Sequence, residues 1–282
     1  MFPTDPLHIG QIEDTVVSAL RSFFRKCGHS EAVLGLSGGI DSAVTAVLAV
    51  KALGKENVTG ILMPSDFSTL HSVNDAVDLA DNLGIRYLIL PIGDIYDRFI
   101  KGLEPVFAGD HSWDVTQENI QARIRGTLLM AYSNRKKALV LNTSNKSELS
   151  VGYGTLYGDL AGAVMVLADI YKLQVYQMAR LANMEKEIIP ASTINKAPSA
   201  ELRENQKDSD SLPDYGTLDP LLYALNEEGR TREDMVASGT DAGIVDRVIG
   251  LKAAAAFKVL QMPPVIKVSE KPLLGPEKWI TS

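Results

Sequence analysis

The sequence is poor in the features that mark several protein classes. It holds one cysteine, Cys27, in 282 residues, which excludes an internal disulfide, a four-cysteine zinc site and the thiol pair used in sulfur transfer. Such sparing use of cysteine makes the cytoplasm the expected compartment. No run of about 18 uninterrupted apolar residues occurs, so no membrane span is expected, and the start, MFPTDPLHIGQIED, lacks the basic stretch and apolar core of a signal peptide. Positive charge is also short. The 28 Lys and Arg against 35 Asp and Glu leave a net charge of −7, so there is no global positive field to hold a phosphate backbone, and nucleic acid is not expected as a partner. Internal repeats and low-complexity blocks are absent too. What is there is an ordinary globular composition, 45% apolar and 22% charged, with enough chain for a sizeable core in one or two domains.

Apolar periodicity then lays out alternating elements. Ile9, Ile12, Val16, Leu20 and Phe23 recur every three or four residues and predict a lead-in helix. Ala32 to Leu36 reads as a strand, Asp41 to Leu53 as a helix stopped by Gly54, and Val58 to Met63 as a second strand. Ser72 to Leu83 predicts a helix, Arg86 to Ile92 a third strand and Asp94 to Phe107 a helix. Thr116 is placed as the N-cap of a helix through about Arg135, and Ala138 to Asn142 makes a fourth strand. Strands separated by helices predict an α/β fold with a doubly wound parallel sheet covered on both faces. With the order 3-2-1-4, the connections reverse between strands 1 and 4, and ligands bind beside the carboxyl ends flanking that switch. Beyond Lys172 the pattern is mostly helical, with a polar run from Ile189 to Pro220, and the tail after Pro264 shows no clear periodicity.

The two loops that meet at the switch are the most chemically loaded of the chain. Ser37-Gly38-Gly39-Ile40-Asp41-Ser42 joins a strand to a helix. Its glycines let backbone N–H groups close around an anion, and the helix N-terminus adds partial positive charge, so a phosphate suits it. It matches neither the Walker A nor the Gly-x-Gly-x-x-Gly pattern. The plainer alternative is a turn whose glycines supply positive φ, with Asp41 complementing the helix dipole. The second loop, Asn142-Thr143-Ser144-Asn145-Lys146-Ser147-Glu148, adds another carboxylate.

The first loop resembles the SGGxDS loop of the N-type ATP pyrophosphatases, an adenine nucleotide alpha hydrolase-like, Rossmann-like fold. Glu118-Asn119-Ile120-Gln121-Ala122-Arg123-Ile124-Arg125-Gly126, Thr143 to Glu148, Gly152-Tyr153-Gly154-Thr155-Leu156-Tyr157-Gly158-Asp159, and Pro198-Ser199-Ala200-Glu201-Leu202-Arg203 with Gln206-Lys207-Asp208 narrow the resemblance to the NAD synthetases. That resemblance implies a sheet order 3-2-1-4-5 with helical C-terminal additions. It also implies one synthetase domain over 1–282: a lead-in helix at 1–30, an α/β core at 31–185 and a mostly helical part at 186–282.

It implies a chemistry as well. Members activate the carboxylate of deamido-NAD with ATP, release pyrophosphate, and let ammonia displace AMP. A carboxylate is a poor electrophile that repels phosphate, so metal and lysine charges must neutralise the triphosphate. By the resemblance, Gly35, Leu36, Ser37, Gly38, Gly39, Ile40, Asp41 and Ser42 form the ATP loop, with Thr143, Lys172 and Ser199 as further ATP contacts. Asp41 and Glu148 are the expected Mg²⁺ ligands. Asn119, Arg123, Glu148 and Lys258 match deamido-NAD contacts, and Asp41, Glu148 and Lys172 are the expected catalytic residues. For Glu148 the alternative is a surface carboxylate, for Lys172 a solvated residue at a helix start, and for Asn119 and Arg123 a helix-surface hydrogen bond and ion pair.

The sequence departs from parts of the family pattern. Phe257-Lys258 stands where some members have His-Lys, and Leu156 and Ala163 replace a lysine and an aspartate of the ammonia-dependent branch. The motifs lie closer to the synthetase domain of glutamine-dependent members. Those members carry a nitrilase-like domain with a catalytic cysteine, and the 36 residues before Ser37 are too few for one. Cys27 is expected to be a buried or partly buried small residue and no nucleophile. Free ammonia is therefore the expected nitrogen source, with delivery by a separate glutaminase as the alternative and a non-catalytic nucleotide-binding subunit as the alternative of another class. A homodimer is the family's usual assembly.

Overall fold

The computed structural model describes residues 2–110 and 112–281. The first half follows a strand-helix alternation: α1 (Pro6–Cys27), β1 (Ala32–Gly35), α2 (Ile40–Leu53), β2 (Val58–Leu62), α3 (Leu70–Leu83), β3 (Arg86–Ile89), α4 (Gly93–Gly102), α5 (Glu104–Phe107), α6 (Val115–Lys136) and β4 (Leu139–Asn142). The second half continues with α7 (Lys146–Ser150), β5 (Val164–Met165), α8 (Lys172–Ala182), α9 (Ala191–Asn195), α10 (Tyr215–Asn226), α11 (Arg232–Ala237), α12 (Ala242–Val259), β6 (Val265–Ile266) and β7 (Trp279–Ile280). The strands form one sheet in the order β3-β2-β1-β4-β5-β6-β7, and every pairing is parallel. Ala32 faces Val58 on one side and Leu139 on the other, which puts the switch between β1 and β4.

Alternation along the strands divides the core. Leu34 points into the cluster made by Ile9, Leu20, Leu48, Val175 and Met178 of α1, α2 and α8. Its neighbour Val33 points to the other face, with Ile61, Ile120, Ile124 and Val140 under α6. A third cluster, including Tyr171, Leu218, Leu222, Val245 and Val248, binds α10 and α12 to the loop region after β4. No helix among the described residues is long and apolar enough to cross a membrane.

Several local expectations change. The helix drawn from Asp94 to Phe107 is two helices parting at Leu103, because Pro105 has no N–H and its ring would crowd the carbonyl four residues back. The N-cap of α6 is Asp114, two residues before Thr116. Asp114 Oδ1 accepts from Thr116 N at 2.5 Å, and Gln117 Oε1 accepts from Asp114 N at 3.0 Å. Cys27 is exposed at the C-terminal end of α1, which corrects the expectation that it is buried or partly buried; the amphipathic face of that helix turns other residues inward. The tail after Pro264, without periodicity in the sequence, supplies β6 and β7 at the sheet edge.

Candidate functional site

The loop after β1 is braced by its own hydroxyls. Gly39 N donates to Ser37 Oγ at 3.1 Å, and Ser42 Oγ donates back to Gly39 O at 2.9 Å. Gly38 has φ +75°, and a Cβ there would lie 2.1 Å from Ser72 O at the start of α3. Only glycine fits that contact. Gly39 caps α2 without a side chain, which leaves the first amides of a long helix turned toward the cavity for an anion.

The loop after β4 brings a second set of groups to the same place. Asn142 Oδ1 accepts from Ser144 N at 2.9 Å, while its amide donates to the carbonyls of Asp159 at 2.6 Å and Ala161 at 3.0 Å. Asn145 caps α7 through Glu148 N at 3.0 Å and donates to Asp41 Oδ1 at 2.8 Å. Lys172 then donates to Asp41 Oδ2 at 2.5 Å and to Glu148 Oε1 at 3.0 Å. Its Nζ also lies 5.2 Å from the centre of the Tyr215 ring.

Charge in this triad is set by burial against pairing. Desolvation pulls the Lys172 ammonium down, yet Asp41 and Glu148 outweigh it and hold the group well above its ordinary value. Desolvation raises the Glu148 carboxyl above the usual carboxylate range, Lys172 pulls it back, and Asp41 and Asp208 push it up again. Lys172 is thus a buried, charged residue and not a solvated helix start; Glu148, with its side chain 14% exposed, is not a surface carboxylate.

One cavity collects most of the sequence-derived positions. Gly35, Leu36, Ser37, Gly39, Ile40, Asp41 and Ser42, with Thr143, Glu148, Lys172 and Ser199, all line it. Gly38 stands behind the loop against Ser72. Asn119, Arg123 and Lys258 do not line it. They grip the adjacent turn instead: Thr155 Oγ1 donates to Asn119 Oδ1 at 2.6 Å, Arg123 Nε donates to Leu156 O at 3.2 Å, and Lys258 Nζ donates to Gly152 O at 2.8 Å and Gly154 O at 2.7 Å.

Other lining residues had no assigned role in the sequence. Arg125 is half-buried in the wall, donating from Nε to Met63 O at 3.0 Å. Desolvation pulls its guanidinium down to about 10, partly opposed by Asp159 and Glu201, so it stays charged at neutral pH. Glu201 reaches across to the start of α3 and accepts from Thr69 N at 3.2 Å and Ser72 Oγ at 2.6 Å. Asp208 accepts from the hydroxyls of Tyr153 at 3.1 Å and Tyr215 at 2.9 Å. The motif strings contained Arg125, Glu201 and Asp208, but only the fold shows that they face one space.

Among the described residues no group of three or more His, Cys, Asp or Glu forms a metal cage. The pair Asp41 and Glu148, both bonded to one ammonium, fits a hard cation that takes its other ligands from phosphate and water, as Mg²⁺ does.

The pattern of glycine loop, paired carboxylates and lysine coincides with a family-level match. A family model described as NAD synthase matches residues 12–263. The chain belongs to the NAD synthase family. It is 45% identical over 261 residues to the glutamine-dependent NAD(+) synthetase of Synechocystis sp., covering 93% of this chain and 47% of that protein. Among solved structures, the glutamine-dependent NAD+ synthetase of Acinetobacter baumannii in complex with adenosine diphosphate aligns at TM-score 0.65 with 39% identity, over 96% of this chain and 49% of that one. The NH3-dependent NAD synthetase of Campylobacter jejuni aligns at TM-score 0.71 with 33% identity, over 92% and 99%. The chain thus spans about half the length of the glutamine-dependent relatives it matches. The family fold, that of the adenine nucleotide alpha hydrolases, accounts for the sheet order and for the site at the β1–β4 switch.

Proposed function

We propose that this chain converts deamido-NAD to NAD: ATP adenylates the nicotinate carboxylate with release of pyrophosphate, and ammonia then displaces AMP. The observation that carries this reading is the convergence of the glycine loop, Asp41, Glu148 and Lys172 on one cavity in an NAD synthase chain.

In this reading each residue has a task. The amides of Ser37 to Ser42 close around the ATP phosphates. The Lys172 ammonium offsets phosphate charge as a point donor, and the hydroxyls of Thr143 and Ser199 hold the nucleotide. Asp41 and Glu148 would hold Mg²⁺, which would neutralise negative charge on the ATP phosphates. Asn119, Arg123 and Lys258, around the turn 152–156, hold deamido-NAD with Glu148. The positions run from Gly35 to Lys258, so we infer one synthetase domain; a homodimer in the cytoplasm belongs to the same reading, on the family resemblance alone.

Ammonia is the nitrogen source in this reading, supported by the likeness to an NH3-dependent synthetase over nearly that whole protein. Delivery from a separate glutaminase is the second reading, favoured by identity to glutamine-dependent relatives. The test supplies deamido-NAD and Mg²⁺-ATP with either ammonium or glutamine. Ammonium should give NAD, AMP and pyrophosphate in equal amounts, and glutamine little product. ADP and phosphate in place of AMP and pyrophosphate would overturn the adenylation step.

A further inference from the structure

Lys172 is the first residue of α8, and the N-cap residue Tyr171 makes no side-chain cap bond. The opening amides of a helix need acceptors from elsewhere. Here they come from two other elements. Lys172 N donates to Ser147 Oγ at 2.8 Å, Ser147 Oγ donates to Asp219 Oδ1 at 2.5 Å, and Leu173 N donates to Asp219 Oδ2 at 2.7 Å. Ser147 and Asp219 are both 0% exposed, and neither lines the cavity.

The arrangement places one carboxylate under two functional side chains. Asp219 fixes the backbone from which Lys172 extends, and through Ser147 it fixes the residue immediately before Glu148. One turn earlier on α10, Tyr215 rests its ring on the Lys172 ammonium. The helix α10 therefore bears on Lys172 at both ends, on its amide through Ser147 and on its ammonium through the Tyr215 ring. A neutral acceptor could satisfy one amide. A carboxylate satisfies an amide and a hydroxyl together, and its negative charge also complements the positive end of α8.

We propose that Asp219, acting through Ser147, is a positioning residue that sets Lys172 and Glu148 against Asp41 for the reaction on ATP. The proposal rests on the reading above that Lys172 acts on the ATP phosphates. A displacement of about 1 Å in such a group can cost on the order of a hundredfold in rate, so backbone anchoring outside the cavity has a kinetic consequence.

The test compares Asp219→Asn and Ser147→Ala with Leu222→Ala, a core substitution on the same helix whose apolar side chain takes no part in the hydrogen bonds among Ser147, Lys172, Leu173 and Asp219. Two readouts are taken well below each melting temperature. One is the rate at which acetic anhydride acylates Lys172, followed by peptide mass spectrometry against an exposed lysine of the same chain. The other is kcat and KM with ammonium as nitrogen source. In Asp219→Asn and Ser147→Ala, acylation of Lys172 should speed up several-fold, and kcat should fall at least about tenfold with KM for deamido-NAD little changed. Leu222→Ala should lower the melting temperature and leave both readouts alone. Wild-type acylation and kcat in both polar variants would overturn the proposal, as would equal effects from Leu222→Ala. Acylation decides the positioning even if the wild-type chain makes no NAD, a result that would overturn only the functional reading. If Asp219→Asn does not fold, Ser147→Ala carries the comparison.

Discussion

Lys172 Nζ lies 2.5 Å from Asp41 Oδ2 although 131 residues separate them. The lysine side chain is 3% exposed and the aspartate 18%. Removing the ammonium by Lys172→Ala leaves the partly buried Asp41 and Glu148 without their shared partner, at a cost of about 1–3 kcal/mol, below that of breaking a fully buried pair. A divalent cation would replace that charge. Urea unfolding should therefore show a larger stabilisation by Mg²⁺ in Lys172→Ala than in the wild type; equal stabilisation would mean that the lysine and the metal do not share these carboxylates.

Asp41→Ala removes one of the two proposed metal ligands and keeps the loop glycines. Pyrophosphate release should be lost while the circular dichroism spectrum stays native, with a lower melting temperature because the buried Lys172 ammonium loses one of its two carboxylate partners. Near-normal turnover would remove Asp41 from the metal site.

The contact between Gly38 and Ser72 gives a steric prediction. With φ at +75° and a would-be Cβ 2.1 Å from a backbone oxygen, Gly38→Ala forces the loop and the start of α3 apart. Stability should fall by at least about 1 kcal/mol, and titration calorimetry should show weaker ATP binding. Unchanged ATP affinity would mean that the loop does not cradle the phosphates.

Burial pushes the Asp219 carboxyl up to about 6, only partly offset by Ser147, the Leu173 amide and Lys172. The folded protein then binds this proton more tightly than the unfolded chain does. Its contribution to stability rises as pH falls from about 6 toward about 4, and the ionised form near neutral pH is the costly one. The unfolding free energy of wild type relative to Asp219→Asn should shift in favour of wild type by up to about 3 kcal/mol between pH 7 and pH 4. A difference that does not vary with pH would show that Asp219 titrates in the ordinary carboxylate range.

Lys146 has no exposed surface and donates to Asp169 at 2.7 Å, to Glu227, to Ser269 Oγ at 3.0 Å and to Lys271 O at 3.0 Å. Lys146→Ala should destabilise the protein by about 3–5 kcal/mol, because two buried carboxylates lose their counter-charge. A loss below about 1 kcal/mol in urea unfolding would show that water or rearrangement replaces the lysine.

The parts of this fold that the sequence reveals are those with enough residues to show a period. β1, β2 and β4 are apolar runs between helical patterns, and they fix the switch point and both site loops. β5, β6 and β7 have two residues each, too few for any alternation, so three of the seven strands could not be read directly. The site divides in a similar way. Asp41 and Glu148 sit in dense polar motifs, whereas Lys172 has the local look of a solvated helix start, and only the convergence of α2, α7 and α8 shows it buried. Asp219 gives no local signal at all, since its partners are a serine and an amide from two distant elements.

The Lys146 pocket has a consequence for the order in which the protein is built. Its partner Ser269 lies 123 residues further along the chain, and β1 must wait for β4 before the switch crevice exists. Closing such long loops before their contacts form makes parallel sheets slow to fold. During synthesis, the N-terminal elements can gather early around α1 and α2. The segment that bears Glu148 can therefore make the contacts of Lys146 with Ser269 and Lys271 only once residues 268–271 are present.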